Sequence, residues 1–317
     1  MNSTAPVTPH GGAGSGNIAP PESDALLGYV VVLPAFHDGD GDGIGDVTGL
    51  ISHLGYLELL GVDGVDVIGA PDDSWTAALQ RHGLVALTAP DRPADLGAQP
   101  FDADRLRVAI RAELAGGPAP TWTLSTAGDG RLASRWDDRD LGERRARAGL
   151  LVVLALPGRV RLLQGDELGL PVFAVPDGPY AESVRPFGRP DVLVPMPWDD
   201  TEPGTGFSVA GGPAPAFGHR HVVAAQLESP TSTLTLLRHA VEERSHRPSL
   251  PPERIEWYGA PDHCFAFRGA DGGIICVLNT GPHPVPLPPG DPILTSVPLD
   301  DLGRLPGDAA AWLAPVP

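Results

Sequence analysis

The nine residues Asp38-Gly39-Asp40-Gly41-Asp42-Gly43-Ile44-Gly45-Asp46 constrain this chain more than any other stretch. Carboxylates recur at every second position with glycines between them, so a short loop can curl until several oxygen-bearing side chains point inward. A hard cation such as Ca²⁺ takes about 6–8 oxygen ligands, and such a loop can supply them. The first half matches the opening of an EF-hand loop, but the bidentate Glu that an EF-hand needs at its twelfth position is here Gly49. An EF-hand is therefore not expected. Two readings remain, an oxygen-ligated metal loop and a metal-free Gly/Asp-rich surface turn, and the ligand spacing favours the first.

The flanks of the loop fix its setting. Residues 29–36 (YVVVLPAF) are apolar and β-branched and read as a buried strand. Leu50, Ile51, Leu54, Leu57 and Leu60 recur at helical spacing up to Gly61, and residues 62–68 read as a second strand. Strand, loop, helix and strand make a βαβ unit with the helix where a right-handed crossover needs it.

This block resembles the opening of an α-amylase-family glycoside hydrolase, in the branch of α-glucosidases, oligo-1,6-glucosidases and trehalose synthases. The resemblance rests on Asp-x-Asp-x-Asp-Gly-Ile-Gly-Asp, then Leu50-Ile51-x-x-Leu54-x-Tyr56-Leu57 and Leu60-Gly61-Val62-Asp63. It implies a (β/α)₈ barrel whose first loop binds Ca²⁺ or Mg²⁺ through Asp38, Asp40, Asp42, the Ile44 carbonyl and Asp46. It also implies α-glucosides or oligosaccharides as partners.

Further along, residues 101–114 (FDADRLRVAIRAEL) form an amphipathic pattern with Leu106, Ala109, Ile110 and Leu114 on one face, stopped by Gly116-Gly117-Pro118. Thr121-Trp122-Thr123-Leu124-Ser125 is similar to the seventh barrel strand of the family. The Asn-His-Asp that follows that strand in the family is replaced by Thr126, Ala127 and Gly128, while Arg131 keeps the register and is implied as a substrate-binding residue. Residues 146–156 read as an apolar helix, and Val160 to Gly169 is similar to the eighth strand. The adjacent acids Asp166 and Glu167 there point to opposite faces of an extended segment, which argues for structure over catalysis. Pro195-Met196-Pro197-Trp198-Asp199 and Gly206-Phe207-Ser208 match two further family signatures, and residues 222–247 read as a helix with a buried stripe of Leu234, Leu237, Ala240 and Val241. From Ile255 the apolar period becomes two, as in a small antiparallel β domain.

The catalytic carboxylates are the weak point. A complete barrel needs about 250 residues, and four missing strand–helix units would need on the order of 120, yet only residues 69–120 lie between the second strand and the seventh. Retaining glycosidases need two carboxylates about 5–5.5 Å apart. The one partial match to the nucleophile motif is Gly61-Val62-Asp63-Gly64-Val65-Asp66-Val67-Ile68, which would make Asp66 the nucleophile. The approach Leu54-x-Tyr56-Leu57-x-x-Leu60 fits the second strand instead, and no candidate for the acid/base Glu stands out.

Net charge of −18 argues against nucleic acid and anionic membrane as partners, and all 22 basic residues are arginine. No apolar run reaches the roughly 20 residues of a membrane span, and the Gly/Pro/Ser/Thr-rich start lacks the features of a signal peptide, so a cytoplasmic protein is expected. Cys264 and Cys276 flank a turn and are expected as free core thiols, with a hairpin pairing as the alternative.

The expected fold class is α/β. Residues 1–24 would be a flexible tail, residues 25–250 an incomplete (β/α) TIM-type barrel and residues 251–317 a C-terminal antiparallel β-sandwich. The expected function is that of a degenerate α-glucosidase-like protein of carbohydrate metabolism without hydrolytic activity. The alternative is an active α-glucoside hydrolase or transglycosylase with a rearranged site, or one completed in a homo-oligomer. A truncated barrel leaves edges and apolar faces uncovered, which itself points to dimerisation or marginal stability.

Overall fold

The computed structural model describes residues 27–89, 93–211, 215–247, 250–270 and 272–315, and the tail expected over 1–24 lies outside them. The first strand, β1 (Leu27–Val32), leaves the sheet through a 3₁₀ turn (Leu33–Ala35) and enters the Gly/Asp loop. Asp46 ends that loop as the N-cap of α1 (Val47–Ser52), its carboxylate accepting from the Gly49 amide at 2.7 Å.

The single helix expected through Leu60 is in fact two. His53 (φ −110°, ψ 10°) leaves the α-helical region and separates α1 from α2 (Leu54–Leu60). The break turns Ile51 outward to 39% exposure while Leu50, Leu54, Leu57 and Leu60 stay buried. Gly61, at φ +73°, closes α2 in the left-handed conformation that a side chain would disfavour.

The chain continues through β2 (Gly64–Ile68), α3 (Thr76–Arg81), β3 (Val85–Ala86), β4 (Pro93–Asp95), α4 (Ala103–Ala115) and β5 (Thr121–Thr123). Then follow α5 (Leu132–Arg135), α6 (Gly142–Leu154), β6 (Arg159–Leu163), α7 (Pro179–Val184), α8 (Val223–Glu228) and α9 (Thr233–His246). The last two replace the single helix expected over 222–247. The six strands form one parallel sheet in the order β3-β2-β1-β6-β5-β4. That is the order of a (β/α)₈ barrel with a gap between β3 and β4, which are the two edges and do not pair with each other among the described residues. β4 has no counterpart in the sequence reading. Its three residues include Pro and Asp, both depleted in strands, and Pro93 is tolerated because the strand is an edge.

Register divides the sheet into two faces. Tyr29 and Val31 share their face with Val65, Val160, Leu162 and Trp122, and this face packs on the helices as the main core. The other face carries Gly28 and Val30 of β1, Gly64 and Asp66 of β2, Thr123 of β5, and Arg161 and Leu163 of β6. Helix α6 is buried almost all round from Ala146 to Leu154, as its apolar sequence requires. It lies between this sheet and the second domain.

That domain is one antiparallel sheet of β7 (Ile255–Tyr258), β8 (Cys264–Gly269), β9 (Ile275–Asn279), β10 (Asp291–Thr295) and β11 (Ala309–Ala314), in the order β10-β11-β9-β8-β7. Phe265, Phe267, Cys276, Ala310 and Trp312 join the main core, and the Trp312 indole donates to the Leu151 carbonyl at 2.8 Å. The opposite face is covered by Val285, Leu287, Val297, Leu299 and Leu305, so the second layer of the expected sandwich is made of loops joined by the Val285–Leu305 bridge. Cys264 pairs with Asn279 and Cys276 with Phe267, which puts the two thiols on opposite faces of the sheet. Both are free, and the hairpin pairing is excluded. Among the described residues no helix is long and apolar enough to cross a membrane.

Candidate functional site

The Gly/Asp loop curls as its spacing suggests. Asp38, buried at the exit of β1, accepts from the Gly41 amide on Oδ1 and from the Gly43 amide on Oδ2, both at 2.7 Å, and from the Ser208 hydroxyl on Oδ2. Asp40 accepts from the Asp42 amide and Asp42 from the Ile44 amide. Gly41 and Gly43 sit at φ +85° and +91°, which lets these turns close. One carboxylate oxygen from each of Asp38, Asp40 and Asp42 lies within 4.8 Å of the others. Oxygens about 2.3–2.6 Å from one Ca²⁺ can be that far apart, so this donor set fits a hard cation.

The electrostatics agree with that fit. Burial opposes charge on Asp38, yet the Ser208 hydroxyl and the amides of Gly43, Gly41 and Asp42 outweigh it and hold its carboxyl below the usual range. The Asp42 amide favours the charged form of Asp40, but desolvation and the carboxylates of Asp42, Asp46 and Asp38 together raise it. The loop therefore concentrates negative charge, and no ion pair with a basic side chain involves its acids among the described residues. Asp46 stands apart from the cluster: besides capping α1, it accepts from the amides of Gly39 and Asp40. Ile44 lies in the loop, half-buried.

Asp66 lies on the inner face of β2 and is only 8% exposed. Its charged neighbour is Arg161 on β6, two strands away. The long Arg161 side chain crosses β1 over Gly28, where a Cβ would sit 2.7 Å from its Cδ. Arg161 is 5% exposed, and its Nε and Nη1 have no hydrogen-bond partner, nor does the hydroxyl of Thr123 beside it in register. Burial raises the Asp66 carboxyl, against the pull of Arg161, and burial lowers the Arg161 guanidinium, against the pull of Asp66. The other acid on this face of the strands, Asp95, is held by Arg135 at 2.8 Å.

The C-terminal end of the sheet, where barrel enzymes work, is filled. Val32, Ala35, Leu163, Tyr180, Val184, Val192, Leu193 and Phe207 form a buried cluster there, with Ile68 and Phe187 against it. Most come from the excursion after β6, whose α7 lies across the strand ends. Arg131 is 0% exposed and spends its donors on the Val192 and Gln164 carbonyls, with Asp166 at 3.6 Å. Asp166 and Glu167 do face opposite ways: Asp166 meets Arg131, and Glu167 accepts from the hydroxyls of Tyr29 at 2.8 Å and Tyr56 at 2.9 Å. The sequence reading assigns no role to Arg161, Thr123 or Ser208, although Thr123 and Ser208 lie in segments that resemble the family. Arg161 had a signal, since it alternates with Val160 and Leu162 in a strand read as buried.

A parallel α/β sheet in barrel order, followed by an antiparallel β domain packed on its helices, is a TIM-barrel-type fold with a C-terminal β domain. Among solved structures the chain is similar to the α-glucosyl transfer enzyme XgtA, with 17% identity, a TM-score of 0.70, and 92% of this chain and 99% of that chain covered. It is also similar to variants of the trehalulose synthase MutB. One is in complex with glucose (14% identity, TM-score 0.71, 92% and 99% covered) and one with its substrate sucrose (14%, 0.70, 92% and 99%). At these identities the likeness is one of fold. No protein-family model and no curated protein matches the chain.

Proposed function

We propose that this chain is a protein of α-glucoside metabolism that binds or regulates without hydrolysing, on a scaffold fixed by Ca²⁺ or Mg²⁺. The observation that carries this is Asp66: it sits beneath an apolar plug, and the other inner acid of the strands, Asp95, is engaged by Arg135. Hydrolysis with retention needs a second free carboxylate about 5–5.5 Å away. Of the neighbouring folds, MutB variants are seen in complex with glucose and with the substrate sucrose, which supports a saccharide as the partner. Asp38, Asp40 and Asp42, with the Ile44 carbonyl, would hold the cation, which would supply the positive charge that three crowded carboxylates lack.

A second reading, a hydrolase or transglycosylase completed by another copy of the chain, is favoured by the unpaired edges β3 and β4. Turnover of maltose, isomaltose and a chromogenic α-glucoside, with Asp66→Ala beside the native chain and calorimetric titration of the same sugars, separates the two. Saccharide binding without turnover, at a surface other than the filled strand ends, is the expected result. Turnover lost in Asp66→Ala would reject it in favour of the second reading, and no binding of any sugar would reject both.

A further inference from the structure

We infer that Ser208 is a positioning residue for the cation loop and that, through it, a bound cation fastens the apolar plug over the C-terminal end of the sheet. The inference rests on the cation reading above. Ser208 is buried, and its hydroxyl donates to Asp38 Oδ2 while accepting from the Ala210 amide at 3.1 Å. Backbone joins the same two segments, since the Asp38 amide donates to the Phe207 carbonyl at 2.9 Å.

The hydrogen-bond inventory shows what this does to Asp38. A carboxylate oxygen has two lone pairs. On Oδ2, the Gly43 amide and the Ser208 hydroxyl occupy both. On Oδ1 the Gly41 amide is the one close donor, with the Asp42 amide as a weaker neighbour of the carboxylate, so Oδ1 is the less engaged oxygen. Ser208 thereby fixes the carboxylate with Oδ1 as the oxygen available beside Asp40 and Asp42. Partners of this kind, which orient a ligand without touching the metal, typically govern about 10–100-fold in affinity.

Phe207, the preceding residue, belongs to the plug and meets the Tyr180 ring edge-on, with centroids 5.8 Å apart. The same segment is pinned to the exit of β1 at two more points. The Met196 amide donates to Ala35 at 3.0 Å, and the Trp198 indole donates to Phe36 at 2.9 Å. A cation that orders Asp38 therefore orders Ser208 and Phe207, and by linkage whatever loosens the plug must weaken the cation.

The test uses the full chain, with CaCl₂ as the probe. Calorimetric titration gives affinity, and hydrogen exchange of residues 192–208 with and without Ca²⁺ reads the plug. Ser208→Ala is expected to lose about 10–100-fold in Ca²⁺ affinity and the Ca²⁺-dependent protection of that segment, with both restored in Ser208→Thr. Phe207→Leu, which leaves the loop intact, is expected to lower affinity by reciprocity. Unchanged affinity in both Ser208→Ala and Phe207→Leu overturns the inference while leaving the cation site standing. So does native protein that binds Ca²⁺ without protecting residues 192–208. Native protein that binds neither Ca²⁺ nor Mg²⁺ overturns the cation reading and this inference together.

Discussion

Replacing Glu167 by glutamine should change how stability depends on pH more than it changes stability itself. The carboxyl is wholly buried among β1, α2 and the turn after β6, taking the Tyr29 and Tyr56 hydroxyls on Oε1 and the Gly165 amide on Oε2 at 2.8 Å. Burial pushes it from an ordinary 4.5 up to about 7; the tyrosine hydroxyls oppose that rise and Asp166 adds to it. A folded-state value above the unfolded one means that the native chain keeps a proton the unfolded chain gives up between those two pH values. The stability this proton provides is complete below about pH 4.5. It falls by about 1.4 kcal/mol per pH unit through the window and is gone above about pH 7, a total of about 3 kcal/mol. Glutamine cannot ionise, and its NH₂ replaces one of the two acceptors, so either the Gly165 amide or the hydrogen bonds donated by the two tyrosine hydroxyls are lost, at about 1–3 kcal/mol at every pH. Urea unfolding of both proteins at about pH 5 and about pH 8 isolates the effect. The native chain should be the more stable one at the acid end, with its advantage shrinking by about 3 kcal/mol at the alkaline end. An advantage that does not change with pH would refute the reasoning.

Three other outcomes are expected. Arg161→Met leaves Asp66 buried without its positive neighbour and should cost about 1–3 kcal/mol in denaturant unfolding, less than the loss of a partner from a hydrogen-bonded buried pair because Arg161 Nε and Nη1 make no hydrogen bond. Asp66→Leu with Arg161→Met should recover most of it; equal losses would mean that the two groups do not interact. A chelator should lower the melting temperature if the loop holds a cation, since a ligand at about 100 times its Kd contributes about 2.7 kcal/mol; no shift in metal-loaded protein would remove the site. Burial pushes the Cys264 thiol up to about 11 and the Cys276 thiol higher still, so neither should react with a disulfide reagent near pH 8 until the chain unfolds. A fast-reacting thiol in native protein would contradict the burial of both.

How much of this was legible follows from how local each feature is. The block from β1 to β2 could be read because its signals are all close in sequence: a β-branched run, alternating acids, a helical stripe and a glycine stop. The same holds for β5, β6 and the period-two strands of the second domain. His53 carries no obvious breaker signal, so the split between α1 and α2 was hidden. β4 was hidden because three residues with Pro and Asp have no strand propensity, and only pairing with Thr121–Thr123 makes them a strand. Asp46 has the spacing of a ligand but the position of an N-cap, and in the structure its oxygens go to backbone amides. The plug was illegible for a different reason: Val32, Leu163, Tyr180, Leu193 and Phe207 are far apart in the chain, and nothing local marks them as neighbours.

The plug and the missing strands have one physical cause. Parallel sheets are buried on both faces, and a closed barrel buries its inner face in itself. With a gap between β3 and β4 the inner face loses two strands' worth of cover. The charged lower layer tolerates this, because Arg161 and Asp66 face each other across β1. The apolar strand ends Val32, Ile68 and Leu163 do not, and something must bury them. The excursion after β6 is the segment that does, by setting α7 and Phe207 where a barrel enzyme would admit substrate. On the proposed reading, then, the shortening that removed the catalytic acids also required the mouth to be filled. Restoring a carboxylate near Asp66 alone should therefore not restore turnover, because the sugar would still have to displace a buried apolar cluster anchored through Asp38 and Ser208.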